Sequence, residues 1–190
     1  MASRIICALL VLGAALFSQG RTAQPRMAQP RYASRNQLLR PEGYREWMFV
    51  GANLGMGYSE GQSARPASFH NIYIQPEAYR QFKETGTFPD KTMLVMEVVA
   101  AGSNASINRR GQFQDRFLGI EAAVKDEGRF PEKWAYFNFI GQDGRALAQA
   151  RPFPKDACWK CHNEHGAADN VFVQFYPVLR DSKPGRAAAQ

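Results

Sequence analysis

The chain reads as an α+β fold, a mainly antiparallel β-sheet with short flanking helices. Three observations predict it. Apolar and β-branched residues concentrate in strand-length runs at Phe69 to Gln75, Thr92 to Val99, Phe113 to Val124 and Trp134 to Ile140. Most connections between these runs are too short for the crossovers that parallel pairing needs. Helical patterning, by contrast, is confined to brief stretches. The part of the chain after its leader suits one domain with a single core.

Taken in order, the N-terminus looks like an export signal, residues 1–20. Arg4 supplies a basic start, Ile5 to Phe17 is apolar apart from Gly13, and Ser18-Gln19-Gly20 offers small residues for cleavage. The run is too short to span a bilayer comfortably. Residues 21–40, rich in Gln, Pro, Arg and Ala, read as a flexible leader, and 181–190 as a flexible tail. The domain between them spans 41–180.

Within that domain, Pro41 to Val50 resembles a helix start followed by an aromatic packing segment. Gly51 to Ser68, with four glycines and one proline, reads as loop. Alternation in the first strand places Phe69 and Tyr73 on one face and His70, Ile72 and Ile74 on the other. Pro76 fits the first turn of a helix whose inner face is Ala78, Tyr79 and Phe82, with Gly86 ending it.

Phe88-Pro89-Asp90-Lys91 is a turn. The strand from Thr92 to Val99 is apolar on both faces except for Glu97. Gly102 to Gly111 is a polar connection, and Phe113 to Val124 is expected to be strand in part. Trp134 to Ile140 is a strand, Asp143-Gly144 a turn, and Val171 to Tyr176 a last strand before Pro177.

The formal charge is +7 at pH 7. Basic residues are not interleaved with aromatics along one segment, which argues against nucleic acid as a partner. A solvated basic surface, with a bias toward acidic redox partners, accounts for the excess.

Chemistry concentrates in Cys158-Trp159-Lys160-Cys161-His162. Two thiols at C-x-x-C spacing can each add to a haem vinyl group, and the histidine that follows can ligate the iron. The alternatives are a redox dithiol, which usually opens a helix after an early strand, a zinc half-site, or a structural disulfide. Of three cysteines, Cys7 lies in the signal, so only this pair would remain in a mature chain. Export fits the haem reading, because haem c is attached outside the cytoplasm in bacteria.

The motif and its sequel, Asp169-x-Val171-Phe172 and Gln174-Phe175-Tyr176-Pro177, resemble the cytochrome P460 family. So do Phe88-Pro89-Asp90 before a strand ending near Glu97, the Lys125-Asp126 pair, and Tyr44-x-x-Trp47. The resemblance runs from Pro41 to Leu179 and implies a cytochrome P460-like antiparallel β fold. It implies a periplasmic monohaem protein with one covalent haem c, often a homodimer, acting on a small nitrogenous substrate or gas with a cytochrome as redox partner. Cytochromes P460 oxidise hydroxylamine on a haem cross-linked to a lysine. The related cytochromes c′-β lack the cross-link, have an apolar distal pocket and bind nitric oxide.

Site candidates follow. Cys158, Cys161 and His162 would hold the haem, with His162 as proximal iron ligand. Lys91 is the nearest lysine to the position where a cross-link would fall, and Met96 stands just before Glu97. Met96 is a candidate distal ligand, in which case the protein would transfer electrons, or else ordinary core. Glu97 is a candidate proton acceptor or a salt-bridge partner of Arg109, Arg110 or Arg116. Asp126 and Glu121 are similar but weaker candidates. His70 is expected to be core or surface, and His165 lies too close to His162 for a second axial role.

Overall fold

The computed structural model describes residues 26–57 and 67–181. The expected signal, the start of the leader and nearly all of the tail lie outside the described residues.

Five strands form one antiparallel sheet in sequence order: β2 (Met48–Leu54), β3 (Ser68–Ile74), β4 (Met93–Gly102), β5 (Phe113–Lys125) and β6 (Trp134–Asn138). Two-residue strands β1 (Leu38–Leu39) and β7 (Gln149–Ala150) pair separately. Three helices join them: α1 (Pro76–Thr85), α2 (Trp159–His165) and α3 (Pro177–Arg180). The α+β architecture read from the sequence is the one observed.

Register and alternation give the sheet two distinct faces. Ile72 pairs with Met96, Met96 with Glu121, Leu94 with Ala123, and Ala123 with Tyr136. Directly paired residues share a face, so these side chains point to one side. Here α1 buries Ala78 and Phe82, and Phe82 stacks on Phe88 at 4.1 Å between ring centroids. Pro76 at its start and Gly86 just past its end, with φ 74°, delimit the helix as expected. The opposite face carries Tyr73, Val95, Ala122 and Val124, packed with Phe130, Phe137 and Phe139. The sheet therefore separates two apolar clusters, and helices cover only the first.

Four expectations change. The stretch from Tyr44 makes a single 3-10 turn, Tyr44–Glu46, before β2 begins at Met48. Gly51 to Leu54, expected in a loop, is the second half of β2: pairing with β3 supplies hydrogen bonds that a glycine-rich sequence does not advertise. Part of the expected leader is packed. Leu38 is fully buried in the second cluster and bonded through β1 to β7, so the ordered body starts before Pro41.

Last, Val171 to Tyr176 is not a strand. Only Val171 makes a bridge, to Ala168, and Val173–Phe175 is a 3-10 turn. Its apolar residues Val171, Phe172 and Val173 are buried without joining the sheet, as is Leu179 of the following helix.

Candidate haem site

The C-x-x-C-H segment forms helix α2 with Cys158 at its N-cap. In a helix, residues three and four apart share a face, so Cys158, Cys161 and His162 lie together. The His162 N–H donates to the Cys158 carbonyl at 3.1 Å, which closes that turn. All three side chains line one cavity of about 320 Å³, a size suited to an organic ligand. The cavity lies against the first sheet face, with Ile72, Leu94, Met96 and Glu121 along its wall.

His162 is held firmly. Its ring lies between Tyr136, at 4.2 Å between centroids, and Phe172, at 4.4 Å. Nδ1 is 2.9 Å from the Asn170 carbonyl. A carbonyl only accepts, so Nδ1 carries the proton and Nε2 keeps its lone pair for a metal. Burial lowers the histidine's pKa, partly offset by that hydrogen bond, so the ring is held neutral, as a ligand must be.

The helix is docked at both ends. Trp159 Nε1 donates to the Glu132 carbonyl at 3.1 Å. At the other end, a Cβ on Gly166 would meet the His162 carbonyl oxygen at 2.5 Å and the backbone of Asn170 and Val171 at 2.9 Å. Only glycine lets the helix end approach that segment so closely.

The thiols are unpaired. Burial, with Glu121 nearby, pushes the Cys158 thiol up to about 11. Reactive C-x-x-C dithiols have the reverse shift, because the thiolate is the nucleophile. The site is therefore poorly suited to dithiol redox chemistry. Among the described residues no cluster of three or more His, Cys, Asp or Glu could hold a bare metal ion. Asn170 lines the cavity, and its Nδ2 is buried without a hydrogen-bond partner. An apolar cavity, free thiols, one prepared imidazole and an unsatisfied amide donor together fit a porphyrin with acceptor groups.

The model of the cytochrome P460 family matches residues 41–173. This chain belongs to the cytochrome P460 family. No curated protein matches it. Membership supports a general redox function on nitrogenous species, and cytochromes P460 typically bind haem c and are typically periplasmic.

The other candidates divide by sheet face. Met96 lines the cavity. Glu97, one residue on, does not: it is buried on the far side, taking hydrogen bonds from Tyr44 Oη at 2.8 Å and Arg45 Nε at 2.7 Å. Glu97 therefore lies away from the cavity, and its cation is Arg45 rather than Arg109, Arg110 or Arg116.

Lys91 is also not at the cavity. Its ammonium pairs with Asp126 and with Asp90, fixing the start of β4. Among the described residues no lysine lines the cavity. His70 is half-buried beside Ser68, and His165 pairs at 4.0 Å with Glu164.

Glu121 is the carboxylate that the site does contain. Its cross-strand pairing with Met96 puts it on the cavity wall, where burial raises its pKa above the ordinary value. Strand alternation alone ranked it low, because Arg116, Glu121 and Lys125 blur the pattern of β5. Pairing Glu121 with Met96 would have found it.

Proposed function

We propose that this chain is an exported monohaem c-type cytochrome that performs redox chemistry on a small nitrogen species at the face of the haem away from His162. In this reading Cys158 and Cys161 tether the porphyrin and His162 ligates the iron through Nε2. When bound, haem c would supply a redox-active iron able to take up a small ligand. The observation that carries the proposal is the convergence of these three side chains on one apolar cavity.

Glu121 would accept the proton that a substrate such as hydroxylamine must lose on oxidation. A carboxyl whose pKa is raised by burial is a better base once ionised than an ordinary one. Met96 would fill space on the cavity wall beside Glu121. As in other family members, the protein would act as a homodimer and pass electrons to a partner cytochrome.

A second reading is favoured by a separate observation. Among the described residues no lysine lines the cavity, and its sheet wall is apolar apart from Glu121 and the Tyr136 hydroxyl. This supports a haem without a lysine cross-link, suited to nitric oxide capture rather than turnover.

Two measurements test these readings. Wild-type protein should keep its haem through acid and ketone extraction, and Cys158→Ser with Cys161→Ser should lose it. Retention by the double variant would end the covalent reading. Multiple turnovers of hydroxylamine by the purified protein would select the first function. Tight nitric oxide binding without hydroxylamine turnover would select the second.

A further inference from the structure

The acceptor of the His162 Nδ1 proton sits in an unusual piece of backbone. Asp169 and Asn170 both have positive φ, 47° and 61°. Ala168 and Val171 on either side exchange backbone hydrogen bonds of 3.3 and 2.8 Å. This is a two-residue turn with the φ signature of type I′, where Asp and Asn are among the few residues that tolerate both positions. Its second carbonyl, that of Asn170, receives both His162 Nδ1 at 2.9 Å and Tyr136 Oη at 3.2 Å.

A turn on its own would be free to rock. This one is clamped through the side chain of Asp169. Oδ2 accepts from Lys125 Nζ at 2.8 Å and Oδ1 from Trp134 Nε1 at 3.1 Å. Lys125 and Trp134 are direct cross-strand partners on β5 and β6, so the clamp is anchored in the sheet. Lys125 is itself fixed: its side chain is 8% exposed and its ammonium also donates to the Phe88 carbonyl at 2.8 Å. None of the three residues lines the cavity.

We propose that Lys125, Asp169 and Trp134 are positioning residues that set the electron donation of His162 by holding the Asn170 carbonyl on Nδ1. The inference rests on His162 being the axial ligand. A firmly held acceptor makes the imidazole more basic, which favours the oxidised metal. Loosening the clamp lengthens the bond, weakens donation and raises the reduction potential.

The test is the potential of the haem-loaded protein, with the ferrous iron–histidine stretching frequency as a second readout. Charge alone and positioning make opposite predictions for one variant. Asp169→Asn removes a negative charge, so both ideas expect a rise. Lys125→Met removes a positive charge: charge alone expects a fall, positioning a rise. Trp134→Phe removes only a neutral donor and serves if Lys125→Met does not fold; positioning expects a rise there too.

The expected change is about tenfold in the ferric–ferrous equilibrium, or about 59 mV for a one-electron couple, with a lower iron–histidine frequency in each variant. Lys125→Arg should recover most of the wild-type value. A fall in potential for Lys125→Met, or unchanged values for Lys125→Met and Trp134→Phe, overturns the inference while leaving the haem reading intact. A wild-type protein without covalent haem overturns both.

Discussion

Lys91 offers the sharpest division between a residue that holds the fold and one that touches the haem. Its ammonium pairs with Asp126, whose side chain is 5% exposed, while Lys91 itself is 30% exposed. Removing one partner of a fully buried ion pair costs about 3–5 kcal/mol. Here the cost is smaller, because Asp126 keeps Tyr32 Oη at 3.2 Å and Arg129 Nε at 3.6 Å.

Lys91→Met should therefore destabilise by about 1–3 kcal/mol, the buried-pair cost reduced for the exposed partner and the surviving contacts. For a chain of this size that lowers Tm by roughly 3–10 °C. Methionine keeps a side chain of similar reach and meets the same backbone demand, φ 67°, so lost charge dominates. Thermal melting followed by circular dichroism reads the loss, and Lys91→Arg should recover most of it. The haem spectrum should not move. An unchanged Tm with an altered spectrum would refute the structural account and return Lys91 to the porphyrin as a cross-linking residue.

Two further outcomes bear on the cavity wall. If Glu121 accepts substrate protons it must be ionised, so turnover should rise with pH through a value above the ordinary carboxylate range. Glu121→Gln should flatten that rise and slow turnover by about 100-fold, within the span of general-base catalysis; an unaltered pH profile in the variant excludes the role. The same shift sets a stability effect. A raised carboxyl pKa means that the folded state binds the extra proton, so ionised Glu121 disfavours folding above its folded pKa. Glu121→Gln should therefore stabilise the haem-free protein at neutral pH, and the gain should vanish as pH falls through the folded pKa toward the unfolded one. Met96→Ala, if Met96 only fills space, should leave the coordination state unchanged and speed ligand entry. Conversion of a low-spin spectrum to a high-spin one would make Met96 the sixth ligand.

What was legible in this sequence divides along a physical line. Strands β3 to β6 could be read because their side chains pack on both sides of a sheet, which leaves apolar residues in runs of strand length. The second half of β2 could not, since Gly51 and Ala52 owe their extended form to pairing with β3. Val171 to Tyr176 misled for the converse reason: the composition suits a strand, but a turn at Asp169 and Asn170 directs it elsewhere.

The carboxylates show the same limit at the site. Glu97 and Glu121 both interrupt apolar strands, and alternation places each on a definite face. Which face meets the cavity depends on where α2 docks, and that is a tertiary fact. Once α2 lies against Tyr136, the two acids separate in kind. Glu97 receives Tyr44 and Arg45 and becomes part of the frame. Glu121 faces the cavity, its raised pKa caused by desolvation alone. A buried acid surrounded by donors is spoken for by the fold, whereas one left to desolvation beside a ligand cavity is free to exchange a proton. That difference is what supports Glu121 rather than Glu97 as the proposed proton acceptor.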